Sequence, residues 1–241
     1  MIYKPLIHSA AVVMLGNFNP AIFSPAWFAL NDLIPDFDPD TAAVRIITGE
    51  YTQISAANVH VIAQQDRFQV ETFDDPFVTI LDLIIGIFGV KLPHTPIHQF
   101  GINYQLHFAL ESAEQRVRFG RLLAPIAPWG AWGRNIEEES TEIEHTGGVR
   151  EIIMEEAAPP GRKKGGYRRV NIAPSLRLDI VDPMLGVFIS VNDHYAFERE
   201  KDEPIDASLA IEELKNRFEQ SIDEAKWIVE GLMKTAKSVS T

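Results

Sequence analysis

The sequence predicts an α+β protein: a curved antiparallel sheet made of two β-α-β-β-β-α pseudo-repeats, with helices on one face and a long C-terminal helix. Three observations predict it. A strand, a helix, three strands and a closing helix are written into residues 1–90, and the same order recurs in residues 91–241. Several segments alternate apolar and polar residues with period two, the mark of a sheet with one covered face. The last stretch carries apolar residues at three and four spacing over roughly 30 positions, the mark of one amphipathic helix. Residue identity between the halves is negligible, so order alone carries the repeat. One compact unit is expected.

In the first pseudo-repeat, residues 1–90, Ser9–Phe18 is apolar on both parities, as suits a strand covered on both faces. Gly16-Asn17-Phe18-Asn19-Pro20 breaks it. Ser24 stands at an N-cap position with Pro25 behind it, which predicts a short helix over Ser24–Leu30. Asp36–Asp40 reads as a loop. Its three aspartates begin like a calcium loop, but Pro39 intervenes and neither the glycine nor the terminal glutamate of such a loop follows. Val44–Thr48, Val59–Ala63 and Phe68–Phe73 predict three strands, with Gln65-Asp66 as a hairpin turn. Asp74 or Asp75 is expected to cap a helix over Pro76–Phe88 that Gly89 ends. That helix is apolar nearly all round, so deep burial is expected.

In the second pseudo-repeat, residues 91–241, Ile97–Leu110 opens with strict parity. Phe100, Ile102, Tyr104, Leu106 and Phe108 share one face; Gln99, Gly101, Asn103, Gln105 and His107 share the other. Glu111–Leu123 predicts a helix that Pro125 and Pro128 end. Trp129-Gly130-Ala131-Trp132-Gly133 reads as an aromatic connector, and the acidic Glu137–Glu144 as a loop. Val149–Glu156 and Arg168–Ile180 predict a hairpin around Pro159–Gly166, and Gly186–Phe197 a returning strand. Glu200–Pro204 is a charged linker. Asp206 or Ser208 caps the final helix, whose stripe is Leu214, Phe218, Ile222, Ala225, Val229 and Leu232.

Composition narrows the function classes. Acidic residues number 34 against 22 basic ones, a net charge of −12 that repels phosphate backbones. Cysteine is absent, which removes thiol catalysis, disulfides and cysteine-ligated metals and suits a reducing cytoplasm. The most apolar stretch, Phe77–Val90, is shorter than the about 20 residues a membrane span needs, and it carries Asp82. Lys4 followed by apolar residues faintly echoes a signal peptide, but Pro5 and His8 interrupt it. A cytoplasmic protein with no membrane partner is expected.

The layout resembles the TATA-binding-protein-like fold, in which two such units share one curved sheet. It is also similar to a sporadically distributed family of uncharacterised prokaryotic proteins of about this length. The pieces that carry the likeness are Ser9–Phe18, Phe100-Gly101-Ile102-Asn103-Tyr104 and Leu209–Met233. That likeness implies no catalytic residues; it implies a setting among mobile elements, defence or toxin–antitoxin systems. The chain departs from a DNA-binding saddle in lacking a basic rim, so duplex DNA is not expected.

Candidate chemistry is sparse. His94, His98 and His107 lie close in sequence, but His94 belongs to a Pro-flanked loop and the other two have opposite parity, so no metal is expected. Asn103 and His107 form one polar stripe with Gln105, and Asn192 and His194 another, with Asp193 on the opposite side. If both stripes lined a cavity between the sheet and the long helix, they would bind a polar ligand or activate a water. Arg162, Lys163 and Lys164, with Arg168 and Arg169, make a basic hairpin tip. Gly161–Gly166 lacks the spacing of a phosphate-binding loop. Trp129 and Trp132 are candidate contact residues, since tryptophan is enriched at binding hot spots.

The expected function is therefore a non-enzymatic accessory protein that binds a protein partner or itself. No catalytic residue and no cofactor is implied. Two alternatives remain open: a small-molecule binder or hydrolase-like enzyme using Asn103, His107, Asn192 and His194, and an RNA binder using the basic tip.

Overall fold

A computed structural model describes residues 2–139, 148–160, 165–197 and 206–238. It is an α+β architecture around one curved, nine-stranded, wholly antiparallel sheet. The strands are β1 (Ile7–Gly16), β2 (Ala43–Ile47), β3 (Tyr51–Ala56), β4 (Val59–Gln64), β5 (Arg67–Thr72), β6 (Ile97–Ala109), β7 (Ile152–Ala157), β8 (Tyr167–Pro174) and β9 (Gly186–Ala196). Their order across the sheet is β2-β3-β4-β5-β1-β6-β9-β8-β7. The two opening strands, β1 and β6, are therefore central neighbours. Their register sets Val12 beside Ile102 and Val13 beside Gly101.

The helices are α1 (Pro25–Leu30), α2 (Val78–Ile84), α3 (Ala113–Leu123), α4 (Gly130–Glu139) and α5 (Ser208–Ser238). Period-two alternation explains the core beneath α2, α3 and α5. Val12 and Met14 of β1, Val61 of β4, Phe68 and Val70 of β5, and Phe100, Ile102, Leu106 and Phe108 of β6 are buried on one face. At one end Phe23, Phe68 and Phe88 meet, with centroids 4.8 and 4.9 Å apart from Phe68. Over its 31 residues α5 spans about 45 Å and lies across β6 and β9. Leu214, Phe218, Ile222, Ala225 and Val229 are its buried stripe. Gln115 Nε2 donates to the Ala236 carbonyl at 3.0 Å, tying α3 to its far end.

Four expectations need correction. The first half has four strands after its opening helix, because Tyr51–Ala56 is itself a strand. Its buried face includes Thr52, a polar residue made tolerable inside by donating its hydroxyl to the Pro20 carbonyl at 2.7 Å. Neither Asp74 nor Asp75 caps α2, which starts at Val78 without a side-chain cap and continues as a π-helix over Ile85–Lys91. Strand β8 stops at Pro174 rather than Ile180, because proline offers no amide and Arg177 closes a turn onto Ile180 and Val181. Leu176 and Leu178, despite their parity, are exposed. Trp129–Gly133 is not a connector: Trp129 ends a 3-10 turn over Ala127–Trp129, and Gly130–Gly133 form the first turn of α4.

The short elements at α1 and α3 follow their caps. The Ser24 hydroxyl accepts from the Trp27 amide, and the Ser112 hydroxyl accepts from the Gln115 amide. Asp206 accepts from the Ser208 amide and hydroxyl at the start of α5.

Candidate functional site

The face of the sheet away from α5 carries the polar stripes. The registers align five residues in a row across five strands: Gln69 of β5, Val13 of β1, Gly101 of β6, His194 of β9 and Tyr167 of β8. The adjacent row runs Glu71, Ala11, Asn103, Asn192 and Arg169. Period two puts all of these on the open face, while Asp193 and Tyr195 turn inward to α5.

These rows make a shallow depression of about 270 Å³, lined by Val13, Leu15, Gly101, Asn103, Asn192 and His194, with Arg67 and Tyr167 at its margins. Asn192 Nδ2 donates to Asn103 Oδ1 at 2.5 Å. The His194 ring stacks on Tyr167, with centroids 4.5 Å apart and planes 17° apart. The Arg169 guanidinium lies over the Tyr167 ring at 4.7 Å and pairs with Glu155 at 2.6 Å. Burial, helped by the Arg169 charge, pushes the His194 pKa down, so the ring is neutral at neutral pH.

The four candidate ligand residues thus share one face but not one pocket. Asn103, Asn192 and His194 converge. His107 stands further along β6, where Nδ1 lies 2.8 Å from Ser175 Oγ and the ring packs on Phe188. Burial lowers its pKa first, and the Arg177 charge adds to that. All four lie opposite α5, so the expected cavity between sheet and long helix is not where they meet. On the helix side, a cavity of about 70 Å³ lies between α3 and strands β7 and β8.

The candidate contact residues separate as well. Trp129 and Trp132 are 60% and 59% exposed, and their rings meet edge to face at 5.4 Å. Arg162, Lys163 and Lys164 lie outside the described residues, as do much of Glu137–Glu144 and the linker Glu200–Pro204. Arg169 is on the open face. Arg168 is not a surface contact, because parity sends it to the helix face. There it pairs with Glu224 of α5, with Asp193 at 3.4 Å and with Glu156 at 3.6 Å. Asp193 is 1% exposed and also accepts from Ser221 at 2.7 Å and Tyr195 at 3.2 Å.

The depression offers a ring stack, an amide pair and apolar walls, the means to hold a ligand. Among the described residues no group of three His, Asp or Glu side chains is placed to hold a metal. Sequence reasoning missed Tyr167, Val13, Leu15 and Arg67 as lining residues, though each has the right parity once the register is known. Gly101 was legible as a member of the stripe, but its value as a gap was not.

No family model matches the chain, and no curated protein matches it. Among solved structures, the rolling circle replication initiator protein from Geobacillus stearothermophilus is similar over 79% of this chain and 74% of its own. The identity is 9% and the TM-score 0.27, too slight a likeness to carry anything about this chain.

Proposed function

We propose that this is a non-enzymatic accessory protein of the cytoplasm that works by binding another polypeptide, a partner or a second copy of itself. The observation that carries this is the tryptophan pair on and beside α4. Two large apolar rings, each more than half exposed, are costly to leave in water and are the residue type most enriched where binding energy concentrates. The outer strand β2 adds support: Val44, Ile46 and Ile47 are 49%, 42% and 36% exposed beside an edge that has no neighbouring strand among the described residues. The same reading takes residues 1–90 and 91–241 as two pseudo-repeats. The sheet order supports it, since β5-β1 and β6-β9 flank the centre in mirrored sequence. A role within a mobile-element, defence or toxin–antitoxin system remains part of this proposal.

The test compares the tagged chain with a variant carrying Trp129→Ala and Trp132→Ala. Affinity capture from the native cell is read alongside size exclusion with light scattering. The wild type should recover one polypeptide in near-equal amount or elute as a dimer, and the variant should lose that species while melting normally. A wild type that is a strict monomer and recovers nothing, or a variant that keeps every species, overturns the proposal.

A further inference from the structure

Gly101 occupies the middle of the central strand β6, where glycine is a poor choice. Its backbone is ordinary strand, so no left-handed conformation demands it. Close packing does bear on it, since a Cβ at this point would crowd the Asn192 amide. A Cβ there would meet the Asn192 amide nitrogen at 3.0 Å and otherwise only side-chain atoms at 3.8 Å. Glycine leaves the row with no side chain at this point, a gap toward which the Asn192 amide leans.

The gap has defined walls. On one side His194 already stacks on Tyr167, itself capped by Arg169, so the free face of the imidazole looks across β6. On the other side stand Val13 and Leu15 of β1. Strands β9 and β1 are two spacings apart, about 9.6 Å between backbones. That separation admits one flat ring, with His194 against one face and the Val13 methyls against the other. At one end the Asn103–Asn192 pair uses one donor and one acceptor on each other. Asn192 Oδ1 remains as an acceptor and Asn103 Nδ2 as a donor, and the Asn103 nitrogen lies 3.8 Å from where a Gly101 Cβ would stand.

We infer that this slot binds a small planar heteroaromatic ring with a donor–acceptor edge, a nucleobase in chemical class, held as a free nucleoside rather than as part of a polynucleotide. The ring extends the Arg169–Tyr167–His194 stack, and its edge meets the two asparagines. The net charge of −12 disfavours a polyanion in the same place. Neutral His194 suits stacking against a neutral ring. The slot is independent of partner binding through Trp129 and Trp132, and either can fail without the other.

Calorimetric titration of the full chain with adenosine, guanosine, cytidine and uridine tests this, with p-cresol as a ring lacking the edge. At least one nucleoside should bind saturably. Gly101→Val should weaken it by about tenfold or more by filling the gap. Asn103→Ala should weaken it by about fivefold to tenfold by removing the donor. The Trp129→Ala and Trp132→Ala variant should bind as the wild type does. If Gly101→Val does not fold, His194→Ala, which removes the stacking wall, takes its place with the same expected loss. No saturable binding of any nucleoside up to about 5 mM overturns the inference. So does equal binding of p-cresol. Tighter, steeply salt-dependent binding of a single-stranded oligonucleotide overturns it too, by giving the slot to a polymer.

Discussion

Asp193 and Asn192 are consecutive residues of β9 and lead opposite lives. Asp193 faces α5, is 1% exposed, and accepts hydrogen bonds from Ser221, Tyr195 and Arg168. Asn192 faces away, is half-buried, and pairs only with Asn103 among the bonds its amide nitrogen donates. The difference shows what a polar residue does on each side of one sheet. On the covered face it must be satisfied in full, since a buried carboxylate without partners costs several kcal/mol, and it becomes a lock between sheet and helix. On the open face it keeps spare donors and acceptors because water serves them, and those are what a ligand can use.

The largest effect should come from breaking the lock. Arg168→Ala withdraws the cation from Asp193 and Glu224 together and should cost about 3–5 kcal/mol, read as a lowered urea midpoint. A loss below about 1 kcal/mol would mean the two faces do not differ as described. Next comes pH. His107 and His194 have folded pKa values below the ordinary 6.5, so the folded state favours their neutral forms. Their contribution is then fully present above that value and is lost as pH falls through the lowered folded values. Urea midpoints should therefore drop as pH falls below the ordinary histidine value of 6.5, and His194→Phe, which keeps a ring on Tyr167, should flatten part of that drop. Smallest should be the exposed tryptophans. Trp129→Ala with Trp132→Ala should shift the thermal midpoint by no more than about 0.5 kcal/mol corresponds to, since little packing is lost. A large shift would recast the pair as part of the fold.

Much of the architecture is legible in the sequence. The parity of Phe100 to Phe108, the stripe on α5 and the Ser24 cap are local patterns, and each became the element its pattern implied. Strand β3 escaped because Thr52 and Ala56 are weak markers of burial, and the hydroxyl partner that makes Thr52 acceptable lies 32 residues away at Pro20. Strand β8 looked longer because Leu176, Leu178 and Ile180 keep its period, although Pro174 and the turn at Arg177 stop it. For the site, Asn103, Asn192 and His194 were visible as stripes, but their meeting depends on register.

The sequence by itself determined the fold class, the amphipathic α5 and the face each strand residue takes, because periodicity is a short-range property of the chain. Only the tertiary structure decided which strands are neighbours, and hence that Arg168 is locked inward while Tyr167 and His194 stack outward beside Gly101. The reason is that pairing between distant strands is set by the packing of the whole sheet against its helices. A one-residue slip in register would move every one of those side chains to the other face.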